Sequence, residues 1–395
     1  MGGGVSSTSH AATLGAAGAV LDLRDQQREL QDLSREFARA EVEPVAAELD
    51  RDRRFAYELV ARLGDLGLMG VPYPIQYGGA GADALSYALV IEQLGWADQS
   101  LALSVAAHTS LGTYPIYAFG DDQQKQRWLP ELCSGRSLAA FGLTEPHAGS
   151  DAANTRTKAR LEDGQWVIDG TKQFIGNSGT DISACVTITA RTADDEISNL
   201  IVERDSPGYE VGPGYRKIGW NAADVHPLSF SSCRVPEGNL LGRRGEGFRQ
   251  FLATLDGGRI SIAALALGCI QRCLDEALDY AKQRRAFGRP ISKFQAIQVK
   301  LADLTAELEA ARLLTYKAAL LRDAGRPFNL TAAQAKLKTG RLAVRAADEA
   351  VQIHGGNGYI EDYAVARFYR DAKVLTIGEG TDEVQEMIIA RHLGL

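Results

Sequence analysis

Gln165-Trp-Val-Ile-Asp-Gly170, then Ala184-Cys-Val-Thr-Ile-Thr-Ala190, Asn199-Leu-Ile-Val-Glu203 and Leu228-Ser-Phe-Ser-Ser-Cys-Arg-Val235, are short runs rich in β-branched residues. Clusters of Gly, Asn, Asp and Pro separate them, the pattern of an antiparallel β unit. On either side the pattern is helical. An amphipathic stretch runs from Leu21 to about Leu49, a loop punctuated by Gly and Pro spans Gly70–Gly79, and helical spacing resumes at Asp83. Beyond residue 246, Phe294, Ile297, Leu301, Leu304, Leu308 and Ala311 alternate steps of three and four, the seam of a helical bundle. Ser292 with Gln295 offers that helix a capping box. The fold class is therefore α+β, with a β unit between two helical ones. The expected domains are a disordered tail (1–21), an N-terminal helical domain (22–137), a middle antiparallel β domain (138–245) and a C-terminal helical bundle (246–395).

The 395 residues carry a net charge of -7, which argues against nucleic acid as the main partner and against a basic membrane-binding face. The longest apolar run, Ile260–Ile270, is too short to cross a bilayer and reads as a buried helix. The first twenty residues resemble neither a secretory signal nor a mitochondrial presequence. Five scattered cysteines suit free thiols in a reducing, cytoplasmic setting, and the six histidines lack metal-ligand spacing, so no metal site is expected. Gly79-Ala-Gly81-Ala-Asp-Ala84 imitates a dinucleotide-binding pattern. Pro72 and Pro74 precede it and no βαβ unit surrounds it, so nicotinamide binding is not expected.

Two loops and a carboxylate carry the chemistry. Phe141-Gly-Leu-Thr-Glu-Pro-His-Ala-Gly-Ser-Asp151 offers the hydroxyls of Thr144 and Ser150, a flexible Gly149 and backbone donors, suited to a flat polar ring and a phosphate. Thr171-Lys-Gln-Phe-Ile-Gly-Asn-Ser-Gly179 sets an aromatic beside small residues. Near the C-terminus, Gly378-Glu-Gly-Thr381 isolates Glu379 between two glycines, just before a helix that Thr381 would cap. A base that removes a proton from carbon in a cleft needs such a setting. As a single motif, it reads more readily as a solvated loop glutamate.

These segments, together with Arg284-Arg-Ala-Phe-Gly-Arg-Pro-Ile-Ser-Lys-Phe-Gln295, Gln352-Ile-His-Gly-Gly-Asn-Gly358 and Arg370-Asp-Ala-Lys373, resemble the acyl-CoA dehydrogenase family in order and spacing. The resemblance covers nearly the whole chain after residue 22. It implies the helical, β, helical fold with a C-terminal four-helix bundle, and an FAD enzyme that desaturates the α,β bond of an acyl-CoA. Glu379 would take the α-proton while the β-hydrogen leaves as hydride to the flavin. The Glu379 N–H and a ribityl hydroxyl would hydrogen-bond the thioester oxygen.

For FAD, the resemblance implies Phe141, Thr144, Gly149, Ser150 and Phe174, then Thr381 and Glu383 after the base. Arg284, Phe287, Gln352 and Gly356 would serve the adenine and pyrophosphate end from a neighbouring subunit of a homotetramer. A helix C-cap is the structural alternative for Gln352 and Gly356. Asp256, Arg259 and Gly380 would face the substrate, with a buried ion pair the alternative for Arg259. Gly258 stands where some relatives carry their base. Gly176 replaces a hydroxyl residue near the flavin, which keeps oxygen reactivity open. Gly378 replaces a tyrosine beside the base, which implies room for a branched or bulky acyl group. The stretch Leu101–Leu111 has no cation for a terminal carboxylate, and His108 reads as an interior histidine. The implied acceptor is an electron-transferring flavoprotein. The alternatives are an acyl-CoA oxidase and a non-catalytic flavin or acyl-CoA binding protein.

Overall fold

A computed structural model describes residues 22–395; the tail expected over 1–21 lies outside them. The first helical unit comprises α1 (Asp25–Phe37), α2 (Glu43–Asp52), α3 (Tyr57–Asp65), α4 (Ala84–Ala97), α5 (Gln99–Ala106), α6 (Tyr114–Phe119) and α7 (Asp122–Cys133). Asp83 ends the Gly/Pro loop and caps α4, its carboxylate accepting from the Ser86 N–H at 2.8 Å.

The middle unit is one sheet of β1 (Leu138–Gly142), β2 (Lys158–Glu162), β3 (Gln165–Gly176), β4 (Ser183–Ala193), β5 (Glu196–Glu203), β6 (Tyr209–Val211), β7 (Val225–Pro236) and β8 (Leu240–Leu241). Its order is β6-β7-β3-β2-β4-β5-β8, with β1 also on β4. Most pairings are antiparallel, as the hairpin-like spacing implies. The sheet is nonetheless mixed, because β1 and the start of β2 lie parallel to β4. The long connections from β1 and β2 to β4 allow this, since parallel neighbours need a crossover.

The last unit holds α8 (Gly247–Gln283), a hairpin of β9 (Arg285–Ala286) and β10 (Arg289–Pro290), then α9 (Gln295–Asp323), α10 (Asn329–His354), α11 (Ala364–Ala372) and α12 (Asp382–His392). Helix α8 is long and apolar enough to cross a membrane, yet 83% of its apolar window is buried inside the protein. It is the core helix against which α4, α9 and α10 pack, and the run Ile260–Ile270 is buried throughout. Gly268 makes this packing close: a Cβ there would overlap the α4 backbone at Glu92 and Trp96.

Leu301, Leu304, Leu308 and Ala311 form the buried seam of α9. The expected capping box at its start is not formed. Residues Ile291–Lys293 take a 3₁₀ turn, Phe294 becomes the N-cap, and the Ser292 carbonyl accepts from the Gln298 side chain at 3.0 Å. The turn draws Ser292 away from the position a cap requires.

Candidate active site

Helix α11 runs into a 3₁₀ turn (Lys373–Thr376), and the chain then reverses through Gly378, Glu379 and Gly380 to reach α12. Glu379 takes the left-handed conformation at φ 53°, followed by Gly380 at φ 92°. A side chain at positive φ is uncommon, so this loop is held from outside. Thr381 caps α12 as its sequence position predicts, its hydroxyl accepting from the Val384 N–H at 3.4 Å. The Gln385 amide donates to the Gly380 and Glu379 carbonyls at 2.9 and 3.4 Å, and Lys336 Nζ donates to the Gly380 carbonyl at 2.7 Å.

The loop faces inward. Glu379 as a residue is half-buried, but its carboxylate oxygen Oε2 is enclosed and has no hydrogen-bond partner among the described residues. Desolvation pushes its pKa up to about 7, while the charges of Lys336 and Arg259 pull it back down. Gly258 on α8 makes space for the carboxylate, since a Cβ there would overlap it and approach the Leu111 side chain to 2.8 Å. The Glu379 backbone N–H donates to no protein group among the described residues.

Arg259 forms the buried ion pair offered as its structural alternative. It is buried and ion-paired with Asp256 one turn earlier, and its charge also acts on Glu379. Burial raises the Asp256 pKa while Arg259 lowers it. His108 is the interior histidine expected. Its Nδ1 accepts from the Ala139 N–H at 3.1 Å, which leaves Nε2–H to donate to the Leu132 carbonyl at 3.0 Å, and burial lowers its pKa to about 4.

The two loops at the helical-to-β junction meet across β1 and β3. Phe141 on β1 stacks on Phe251 of α8 with ring centroids 4.1 Å apart, and the Gln173 N–H donates to the Thr144 carbonyl at 2.8 Å. Gly149 and Ser150 are exposed, and nothing lies within 4 Å of where a Gly149 Cβ would sit. Phe174 is extruded at a bulge with φ 61° and is 60% exposed. A Cβ on nearby Gly176 would meet only the Asp224 carbonyl, at 3.6 Å.

Arg284, Phe287, Gln352 and Gly356 are exposed at the far ends of α8 and α10. These ends are tied together by the stack of Tyr280 on His354 and by the Asn357 amide donating to the Tyr280 hydroxyl at 3.0 Å. The helix C-cap is Gly355, at φ 60°, rather than Gln352 or Gly356. Glu383 is exposed, its pKa lowered chiefly by the Thr381 hydroxyl.

Two buried lysines escaped the sequence reading. Lys172 of β3 donates to Glu145 at 2.7 Å, to the Thr189 hydroxyl at 3.0 Å and to the Leu143 carbonyl at 3.3 Å. It thereby anchors the Phe141–Asp151 loop from beneath. Lys336 does the same for the Glu379 loop.

An uncovered aromatic beside glycine, the hydroxyls of half-buried Thr144 and exposed Ser150, and an unpartnered carboxylate together fit a planar, phosphate-bearing cofactor and a substrate. The comparisons agree with this geometry. Residues 24–136, 140–233 and 245–394 match the family models for the N-terminal, middle and C-terminal domains of acyl-CoA dehydrogenase. The chain belongs to the acyl-CoA dehydrogenase family. It is 48% identical to the probable acyl-CoA dehydrogenase YngJ of Bacillus subtilis, over 94% of this chain and 99% of that one. It is 42% identical to a short-chain specific acyl-CoA dehydrogenase of Clostridium acetobutylicum, over 93% and 98%. The butyryl-CoA dehydrogenase structure from Megasphaera elsdenii superposes with a TM-score of 0.92 at 40% identity, covering 94% of this chain and 99% of that one. A chain in a structure of the electron-transferring flavoprotein of Acidaminococcus fermentans superposes with a TM-score of 0.93 at 40% identity, covering 94% and 99%. This acyl-CoA dehydrogenase is an FAD-dependent oxidoreductase.

Proposed function

We propose that this acyl-CoA dehydrogenase desaturates the α,β bond of a short acyl-CoA thioester, with Glu379 taking the α-proton and an electron-transferring flavoprotein accepting the electrons. One observation carries the reading: an enclosed, unpartnered Glu379 Oε2 with the free N–H of the same residue. A carboxylate at its ordinary pKa of about 4.3 is a weak base towards an α-C–H. Burial that lifts Glu379 to about 7 brings base and carbon acid closer in strength. The Glu379 N–H would donate to the thioester oxygen as negative charge gathers there, and it is already free to do so. FAD, when bound, supplies the two-electron acceptor for the hydride that leaves the β-carbon. Phe141, Thr144, Gly149, Ser150, Phe174, Thr381 and Glu383 would hold it from one subunit. Arg284, Phe287, Gln352 and Gly356 would reach it across a boundary in a homotetramer, which their exposure supports. Asp256 and Arg259 would flank the substrate, with Gly380 beside the base. Five buried free cysteines suit a cytoplasmic enzyme.

The likeness to short-chain and butyryl-CoA dehydrogenases supports a short acyl group. A Cβ on Gly378 would meet only the Val374 carbonyl, at 3.6 Å, so a branch on that acyl group has room. Turnover of straight and branched four- to six-carbon acyl-CoAs and of long-chain acyl-CoAs, with and without the protein acceptor, tests the whole reading. Enoyl-CoA formation that depends on the acceptor is expected. Stoichiometric hydrogen peroxide without the acceptor would make the protein an oxidase instead, and turnover confined to long-chain thioesters would remove the short-chain assignment.

A further inference from the structure

The proposed chemistry leaves unused an enclosed cation that touches the Glu379 loop. Lys336 projects from α10, its side chain has no exposed surface, and its Nζ lies 2.7 Å from the Gly380 carbonyl oxygen. A buried ammonium is costly unless it is paired and hydrogen-bonded. The nearest carboxylate, Asp382 at 3.8 Å, is shared with Arg341, which sits closer at 3.2 Å. Lys336 therefore spends its donor on a neutral carbonyl in the loop that carries Glu379, and its charge is only loosely neutralised.

We propose that Lys336 is a positioning residue that fixes the Glu379 loop and presents a positive charge to the Glu379 carboxylate. This rests on Glu379 being the base. The ionisable groups around the pair come from α8, α12 and α4. Arg259 on α8 is a second cation facing Glu379, but it is held in its close ion pair with Asp256. Asp382 and Glu383 on α12 act on Lys336 as anions, and Tyr87 on α4 feels the Glu379 charge. Burial lowers the Lys336 pKa to about 8, with Asp382 and Glu379 opposing that shift, so the ammonium is mostly charged at the pH where Glu379 is half-titrated, near 7. The field of Lys336 favours the ionised, proton-accepting form of Glu379, while its hydrogen bond holds the loop in its left-handed turn.

The sign follows. Glu379 works deprotonated, so kcat/KM falls as pH drops through its pKa. Removing a nearby positive charge raises that pKa and moves this acid limb to higher pH. Lys336→Met in the FAD-loaded enzyme is expected to shift the limb by about one pH unit, an approximately tenfold loss of kcat/KM below it, with flavin content unchanged. Lys336→Arg keeps the charge and should keep the limb near that of wild type. A Lys336→Met enzyme that retains flavin and loses activity equally at every pH, with its limb unmoved, would overturn the proposal and leave Lys336 a purely structural residue. Should that variant not fold, Lys336→Gln keeps a donor for the Gly380 carbonyl while removing the charge, and the limb should again move to higher pH; an unmoved limb there overturns the proposal too. Glu379→Gln separates the two readings. If it turns over like wild type, Glu379 is not the base; if it is inactive while the Lys336 limb stays fixed, the positioning role alone fails.

Discussion

Glu379 is held at φ 53° between two glycines, above a third glycine that leaves space for its carboxylate. That third residue, Gly258, supports a sharp expectation. Gly258→Ala would set a methyl group against Oε2 and Leu111, so the base must shift. A displacement of about 1 Å at a reacting centre costs on the order of 100-fold. Stopped-flow flavin reduction should slow by about that factor in Gly258→Ala while the protein keeps its flavin and fold; an unchanged rate would mean that the carboxylate works from another position. The isolation of Glu379 was legible in sequence because a glycine stands on each side of it, whereas the left-handed conformation of Glu379 itself was not. Lys336 was not. A lysine in an alanine-rich helix reads as a solvated face, and only the return of the chain through α11 and the following turn brings Gly380 onto it.

The buried network between α4, α8 and α9 shows how neighbouring elements are held. Glu92 accepts from Arg312 Nε at 3.0 Å and from the Tyr316 hydroxyl at 2.6 Å, and Arg312 also donates to Gln271 at 3.0 Å. Both charged side chains are almost wholly buried, so removing Arg312 leaves the Glu92 carboxylate without its cation. Arg312→Met should lower unfolding free energy by about 3–5 kcal/mol, read as a fall in the urea midpoint. Adding Glu92→Gln should recover part of that loss, because the two positions share one interaction. A loss below about 1 kcal/mol for Arg312→Met would show that the pair contributes little. The α9 seam itself was legible from steps of three and four. The parallel pairing of β1 with β4 was not, since register between strands distant in sequence is set by the crossover rather than by either strand's composition. The capping box failed for a local reason, the 3₁₀ turn at Ile291–Lys293.

At the scale of the whole molecule, the order helical, β, helical followed from texture alone, because strand runs and helical seams differ in period. The completeness of the site did not follow from one chain. Phe287, at φ 49° on the β9–β10 hairpin, is 94% exposed, and Tyr359 beyond α10 is 88% exposed. Large apolar side chains left this open at one end of the molecule suit coverage by another copy. Phe287→Asp should therefore weaken the proposed homotetramer and lower flavin content together, read by light scattering and by the ratio of visible to protein absorbance. A tetrameric, fully flavinated variant would remove Phe287 from the interface.

The central claim is that Glu379 is the base. The most direct measurement mixes FAD-loaded wild type and Glu379→Gln anaerobically with butyryl-CoA and follows the visible flavin band. The expected result is rapid bleaching in wild type and a rate lower by at least about 100-fold in Glu379→Gln, whose flavin content and thioester binding are retained. Bleaching of Glu379→Gln at the wild-type rate would contradict the account.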